Sequence, residues 1–328
     1  MIIARTPFRV SFCGGGSDLP EFYERYGGCV LSTTIKKYMY LILHNYFYSN
    51  QIVLKYSQIE TVTDYSEIKH RIFKQCLMDF NIKGVEITSS ADIPAGTGLG
   101  SSSAFTVALL HLLSTYKYEE ISKYDLAQKA CTIEIEKLGE KIGKQDQFAS
   151  AFGGLNFYEF LPNGIVNVEP VTMDKDSYRK LEKNILLFYL GGTHSASEIL
   201  KEQSQNIKIP QKAVIQKKMC NLTRILKEEL QKNNLDAMGK LLHENWILKK
   251  TLASGISNTF IDDVYKKAIS AGALGGKVLG AGGAGFMLLY VPEEKQDAVK
   301  NSLGNFKELD FQMECSGSRI IYNDKSFI

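Results

Sequence analysis

Runs of apolar, β-branched and aromatic positions dominate the first 60 residues and predict strands. The first run covers residues 2–12 and stops at a triple glycine, and two more cover residues 29–35 and 37–47. Farther along, positions with helical spacing alternate with short apolar runs. This pattern predicts helices over 66–80, 124–139 and 144–152, and strands over 84–91, 155–160 and 165–170.

The second half opens with an apolar strand over residues 184–190 and continues mainly with helices. The charged, turn-rich stretch 172–184 predicts a boundary near residue 175, hence domains over 1–175 and 176–328. Because strands and helices alternate without regular βαβ spacing in the first half, the pattern favours an α+β fold. Helices are predicted over 195–203, 211–251 (a long amphipathic pair), 258–271 and from Glu293, and strands around 306–312 and 318–323.

Composition narrows the protein class without changing this picture. The chain has 328 residues, 44% of them hydrophobic, and a net charge of +3, which favours neither nucleic-acid nor membrane binding. Six cysteines contain no C-x-x-C pair, so neither a disulfide framework nor a zinc site is expected. No stretch matches a signal peptide or a membrane span. These features predict a cytoplasmic protein, and they leave its oligomeric state open.

One glycine-rich loop leads directly into a predicted helix. Glycines let the backbone approach a ligand closely, and a helix N-terminus adds unpaired N–H donors and a positive dipole end. The serine hydroxyls there can bind phosphate or a magnesium ion, although a flexible turn with a serine cap would look similar. No lysine precedes the serines, so this is not a Walker loop. The predicted anion-binding residues are Pro94, Gly96, Thr97, Gly98, Leu99, Gly100, Ser101, Ser102 and Ser103.

Two further glycine segments flank this loop in the sequence. The segment 280–285, with Gly282 and Gly283 at its centre, matches G-x-G-x-x-G, but an apolar strand follows it instead of a helix. A glycine-rich turn between two strands is therefore predicted, with a purely structural role left open. The segment RVSFCGGGSD places Arg9 in an apolar strand and Asp18 just past a glycine hinge, where an aspartate could accept hydrogen bonds from sugar hydroxyls.

The segments TPFRVSFCGGGSD, PAGTGLGSSSA and KVLGAGGAGF occur in the order that is typical of the GHMP kinases, which include galactokinase, homoserine kinase and mevalonate kinase. The chain resembles this family from Ala4 to about Phe286. The resemblance implies an N-terminal domain like the second domain of ribosomal protein S5, which binds ATP, and a C-terminal ferredoxin-like domain. It also implies ATP as the phosphoryl donor, Mg²⁺ as the metal and an active site between the domains. Gly282 and Gly283 are then expected to bind ATP together with the glycine loop at 94–103.

The stretch from Glu134 to Gln147 is similar to the galactokinase segment that carries a metal-ligating glutamate and a catalytic aspartate. On this match Glu134 and Ser102 are the expected metal ligands, while Asp146 is the general base and Arg9 neutralises charge beside it. Glu134 and Glu136 could instead both be solvated, and Asp146 could simply favour a helix N-terminus.

The acceptor predicted from the resemblance is a sugar phosphate. GGGSDLPEFY and the segment from GISN to GALGGKVLGAGG look most like those of D-glycero-D-manno-heptose 7-phosphate kinases, with fucokinase-type domains close behind. This implies phosphorylation of an anomeric hydroxyl to give a 1,7-bisphosphate for nucleotide-activated heptose synthesis. His194, Lys249 and Lys250 are candidates for binding the existing phosphate, and the expected sugar-binding residues are Gly14, Gly15, Gly16, Ser17, Asp18 and His194.

Two positions depart from the family pattern. His194 stands where arginine is common, and Ala284 stands where glycine is common, which matters only if its φ is positive. The alternatives that remain are a kinase of fucose, galactose or a mevalonate-like alcohol, and a non-catalytic sensor that binds sugar and ATP. A nucleotide-binding oxidoreductase is disfavoured by the strand after Gly285.

Overall fold

The computed structural model describes residues 1–192 and 196–324. Within these residues, the strands form two sheets, and helices pack on the sheets. The strands are β1 Ile2–Cys13, β2 Gly28–Asn45, β3 Ile52–Lys55, β4 Ile59–Val62, β5 Val85–Ala91, β6 Asn156–Phe160, β7 Val166–Pro170, β8 Ile185–Tyr189, β9 Gly275–Val278, β10 Phe286–Tyr290, β11 Lys307–Leu309, β12 Met313–Glu314 and β13 Arg319–Asn323. The α-helices are α1 Pro20–Tyr26, α2 Arg71–Phe80, α3 Ser101–Tyr116, α4 Lys123–Cys131, α5 Gln145–Phe152, α6 Lys175–Lys183, α7 Ala196–Asn206, α8 Pro210–Gln231, α9 Asp236–Lys250, α10 Thr259–Ser270 and α11 Gln296–Ser302.

The larger sheet is built around β1 and β2, which pair antiparallel over nearly their whole length. Its strand order is β13-β1-β2-β5-β3-β4, and β6 and β12 also pair with β2. Helix α3 packs against β1, and its apolar side chains are buried almost all the way round, as expected of a helix enclosed by a sheet and neighbouring helices. This buried helix fixes the position of the glycine loop at its N-terminus.

The smaller sheet has the order β11-β8-β10-β9, and all its pairings are antiparallel. Trp246 of α9 is buried in its core together with Met287 of β10. The α+β prediction is confirmed. The strands up to β7 belong to the larger sheet and β8 begins the smaller one, but β12 and β13 near the C-terminal end belong to the larger sheet again. The domain boundary at residue 175 therefore stays a prediction. Among the described helices, none combines the length and apolar character that crossing a bilayer requires.

Several predicted boundaries were wrong for local reasons. The helix predicted over 66–80 begins at Arg71, because His70 caps it and a 3₁₀ turn precedes it. The charged stretch 172–184 contains helix α6, which Asp174 caps by accepting a hydrogen bond from Ser177 N–H. The helix predicted over 124–139 continues beyond Cys131 as a π-helical turn over Thr132–Lys137. Helix α1, directly after the first glycine segment, was not predicted.

Candidate active site

Arg9 connects strand β1 to the glycine loop before α3. Its backbone N–H donates to Leu99 O at 3.1 Å, and its Nη1 donates to Gly98 O at 2.6 Å. The side chain is 4% exposed, and the cavity that it reaches has a volume of about 440 Å³. The arginine therefore holds the loop in place while its charge remains at the edge of the cavity.

Asp146 lies in the first turn of α5 and forms a bidentate pair with Arg9. Nε and Nη2 of the arginine donate to the two carboxylate oxygens, each at 2.7 Å. This geometry fixes the orientation of the carboxylate, since the guanidinium fork matches it in two places. Gly100 covers the pair: its φ is +74°, and a Cβ there would lie 3.2 Å from both Arg9 Cγ and Asp146 Oδ2.

The glycine loop and the start of α3 form one wall of the cavity. Helix α3 begins after Gly100 without a side-chain cap. Its first N–H groups are therefore available to a ligand. Thr97 and Leu99 are each only 1% exposed, and Thr97 Oγ1 donates to Pro94 O, so these loop residues are structural rather than cavity-lining. The predicted anion-binding residues that do line the cavity are Gly96, Gly98, Gly100, Ser101, Ser102 and Ser103.

Glu134 is buried in the π-helical turn and faces the serines of α3. Ser102 Oγ donates to one carboxylate oxygen at 3.0 Å, and Gln147 Nε2 donates to the other at 2.7 Å. Burial raises the pKa of Glu134, and hydrogen bonds from Ser103, Gln147 and Ser102 oppose that rise. Glu136, by contrast, is exposed. π-helical turns often occur at functional sites, and here the turn carries the buried Glu134.

These residues suit Mg²⁺, a hard cation that takes oxygen ligands and retains several waters. Glu134 and Ser102 provide a carboxylate and a hydroxyl side by side at the cavity wall. Among the described residues, no cluster of three or more carboxylate, histidine or cysteine side chains offers a fully protein-built metal cage. A magnesium ion here would thus need the nucleotide phosphates as further ligands.

Asp18 is buried close to the pair of Arg9 and Asp146. Gly16 N–H and Gln145 Nε2 donate to its Oδ1 at 2.9 and 3.2 Å. Burial and the nearby Asp146 charge raise its pKa, against the lowering effect of the backbone hydrogen bonds. Gly15 and Gly16 line the cavity with it. Gly14 and Ser17 instead pack on the backbone of Cys29 and do not line the cavity.

The third glycine segment joins β9 to β10, so the predicted turn between two strands is confirmed. It packs directly on the loop before α3: a Cβ on Gly280 would lie 2.8 Å from Gly98 Cα. Gly282 lines the cavity, whereas Gly283 N–H donates to Ile256 O. Ala284 does not have a positive φ, so alanine is unstrained at this position.

Two lysines approach the site from the second half of the chain. Lys249 of α9 lines the cavity, is 3% exposed and donates to Gly280 O at 2.7 Å. Burial, and next the Arg9 charge, lower its pKa to about 8, against the opposite effects of Asp18 and Asp146. Lys277 is fully buried behind β1 and donates to Ser11 O and Oγ.

The three candidates for binding the acceptor phosphate differ in their position relative to the cavity. Lys249 lines the cavity. Lys250 does not line it and instead forms a 2.9 Å ion pair with Asp262. His194 lies outside the described residues. The sequence reasoning missed Gln145 and Gln203, which line the cavity, and Gln147, which donates to Glu134. Gln145 and Gln147 flank Asp146 in the sequence, which was the available signal, whereas Gln203 had none.

The model of the GHMP kinase N-terminal domain matches residues 67–154, and that of the GHMP kinase C-terminal domain matches residues 226–308. The chain belongs to the GHMP kinase family. The GHMP kinase fold expected from the three glycine segments is thereby confirmed.

Individual GHMP kinases are similar to this chain over nearly its whole length. The D-glycero-alpha-D-manno-heptose 7-phosphate kinase of Campylobacter jejuni is 28% identical, over 91% of this chain and 92% of that protein. The galactokinase of Thermosipho africanus is 24% identical, over 92% of each chain. A crystal structure of a D-glycero-D-manno-heptose 1-phosphate kinase from Bacteroides thetaiotaomicron superposes with a TM-score of 0.81 at 26% identity, covering 99% of this chain and all of that one. The protein is thus an ATP-dependent sugar kinase of this family.

Proposed function

We propose that this kinase phosphorylates the anomeric hydroxyl of D-glycero-D-manno-heptose 7-phosphate and yields the 1,7-bisphosphate used to make nucleotide-activated heptose. The observation that carries the chemical part is the bidentate pair of Arg9 and Asp146, each bond 2.7 Å long, at the end of the glycine loop. A positioned carboxylate beside a phosphate-binding helix N-terminus is what phosphoryl transfer to an alcohol requires.

In the proposed step, Asp146 accepts the proton of the attacking anomeric hydroxyl. The sugar oxygen then forms a bond to the γ-phosphorus as the bond to the bridging oxygen of ADP breaks. Arg9 offsets the charge of the carboxylate and of the transferring group. The N-terminal N–H groups of α3 bind the ATP phosphates, and Asp18 accepts hydrogen bonds from sugar hydroxyls.

Glu134 and Ser102 would hold the magnesium ion of the ATP complex. Bound there, Mg²⁺ neutralises charge on the phosphates. The buried Glu134 carboxylate supports this assignment, because burial raises its pKa and a cation in contact with it would relieve that cost.

The sugar part of the proposal is supported by relatives whose names specify heptose phosphates. Those names differ in the position of the phosphate, with 7-phosphate for the Campylobacter jejuni enzyme and 1-phosphate for the Bacteroides thetaiotaomicron structure. We favour the 7-phosphate as the acceptor, since the anomeric hydroxyl is then free to react.

The test is a panel of acceptors with saturating MgATP and ADP release as the readout. It contains the heptose 7-phosphate, the heptose 1-phosphate, free heptose, fucose, galactose and mevalonate. We expect the heptose 7-phosphate to give the highest kcat/KM and a product with phosphate on C1 by ³¹P NMR. Efficient turnover of a free sugar or mevalonate, with none of the heptose 7-phosphate, would overturn the proposal.

A further inference from the structure

Lys249 is a buried ammonium that forms no salt bridge with a described carboxylate, although Asp18 and Asp146 lie near enough to favour its charge. The other cations that line the cavity are paired, since Arg9 binds Asp146 and Arg71 lies 2.6 Å from Glu140. In the described part of the chain, Lys249 has no carboxylate within ion-pair distance, and its hydrogen bond runs to the neutral carbonyl of Gly280. An ammonium held this way retains N–H donors for an anionic ligand.

The space beside Lys249 belongs to the acceptor side of the cavity. A Cβ built on Gly15 would lie 3.8 Å from Lys249 Nζ and 3.8 Å from Gln145 Nε2. The same Gln145 amide donates to Asp18, the residue assigned to the sugar hydroxyls. Gly15 does not have a positive φ, so its backbone does not require glycine. Its missing side chain instead leaves room in front of the ammonium.

From this geometry we infer that Lys249 binds the phosphate monoester already present on the acceptor, in a space that Gly15 keeps free of side-chain atoms. The inference rests on the proposed function, because it specifies which group of the acceptor lies next to which residue. A carboxylate on Asp18 would repel a dianion brought near the sugar site, and Lys249 supplies a compensating positive charge.

The nucleotide phosphates have a separate set of partners. The loop before α3 and the Ser101–Ser103 turn bind them in the proposed function, together with the metal at Glu134 and Ser102. Lys249 donates to Gly280 of the third glycine segment, which packs on that loop, but its Nζ also faces Gly15 of the first segment, which carries Asp18. Because Gly15 leaves room on the Asp18 side of the ammonium, an acceptor phosphate explains the position of this lysine better than a further contact to ATP.

Lys249→Met tests the inference through acceptor discrimination. The quantity to measure is the ratio of kcat/KM for the sugar phosphate to kcat/KM for the corresponding free sugar. Loss of a charge-assisted contact is expected to lower this ratio about 10- to 100-fold, mainly through the KM of the phosphorylated acceptor. Lys249→Arg, which retains the charge, is expected to recover part of the ratio.

Lys250→Met is the matched control, because it removes the neighbouring lysine charge, which pairs with Asp262 outside the cavity. It should retain the wild-type ratio. Gly15→Glu should lower the ratio more than Gly15→Ala, since a carboxylate there can pair with Lys249 and take the place of the phosphate. Melting temperatures and the KM for ATP verify that each variant is folded and binds nucleotide.

The two levels of the proposal fail in different ways. If the wild-type enzyme discriminates in favour of the phosphorylated sugar and K249M retains that discrimination, the role of Lys249 is refuted while the proposed function stands. If K249M instead lowers kcat equally for both acceptors, the lysine contacts the transferred phosphoryl group and the inference is also wrong. If the wild-type enzyme does not use the sugar phosphate at all, the proposed function itself fails.

Discussion

Replacing Asp146 with asparagine removes the proposed general base and retains the shape of the side chain. A positioned base contributes typically about 10²- to 10⁴-fold to such a reaction, so kcat should fall by about that factor. Asparagine retains one oxygen that can accept from Arg9, so the helix start and the loop should remain in place. ATP should therefore bind with nearly unchanged affinity.

The cost of this change to stability can be bounded from the exposure of the ion pair. Arg9 is 4% exposed and Asp146 is 22% exposed, so the pair lies between a surface pair and a fully buried one. Surface pairs contribute about 0–1 kcal/mol, whereas breaking a buried pair costs about 3–5 kcal/mol. We expect D146N to lose about 1–2 kcal/mol, because one hydrogen bond to the guanidinium can persist.

Such a loss leaves the protein folded at assay temperature, since domains are typically stable by about 5–15 kcal/mol. Turnover, nucleotide affinity and melting temperature can therefore be measured on the same preparation. Turnover should follow from ADP release at saturating ATP and acceptor, and affinity from calorimetric titration with a nonhydrolysable ATP analogue. A D146N enzyme with kcat within about threefold of wild type would refute the assigned role of Asp146. Such a small loss is far below the roughly 100-fold minimum that a general base typically contributes. Lost activity together with lost ATP binding would indicate a collapsed site instead.

Three further changes probe the same site. Gly100→Ala should lower kcat, because its φ of +74° strains alanine and its Cβ would lie 3.2 Å from Asp146 Oδ2; unchanged kcat would contradict the close packing. Glu134→Gln should raise the Mg²⁺ concentration needed for half-maximal rate without lowering the melting temperature, since burial already disfavours the charge of the Glu134 carboxylate. An unchanged Mg²⁺ titration would exclude Glu134 as a ligand. Lys249 loses its proton as pH rises through about 8, so at higher pH the KM of a phosphorylated acceptor should increase while the KM for ATP stays constant. Parallel increases in both KM values would count against Lys249 as the residue that binds the acceptor phosphate.

Part of the site could be predicted from local sequence. The glycine loop before a buried helix indicated an anion site by its composition, whereas the roles of Arg9, Glu134 and Asp146 followed from the resemblance to the GHMP kinases. The structure places Arg9 and Asp146 in a bidentate pair and Glu134 against Ser102, as their expected roles require. Those roles stay predictions until the variants are measured.

Contacts across the chain were decided only by tertiary structure. Sequence reasoning assigned Thr97 and Leu99 to the ligand, whereas the structure buries both side chains. It could not choose between Lys249 and Lys250, which are neighbours in sequence and point to different partners. It also could not place Gly15 opposite Lys249, since nothing in either segment specifies how α9 packs against the first glycine loop.

The sequence by itself determined the order and composition of the glycine segments, and with them an anion site, because backbone freedom and helix-terminal donors are local properties. The class of reaction followed from the resemblance of the three segments to those of the GHMP kinases. Folding decided which face of each loop meets the cavity and which lysine enters it. A helix such as α9 exposes different residues to different neighbours, and only the packed arrangement of the two sheets selects among them.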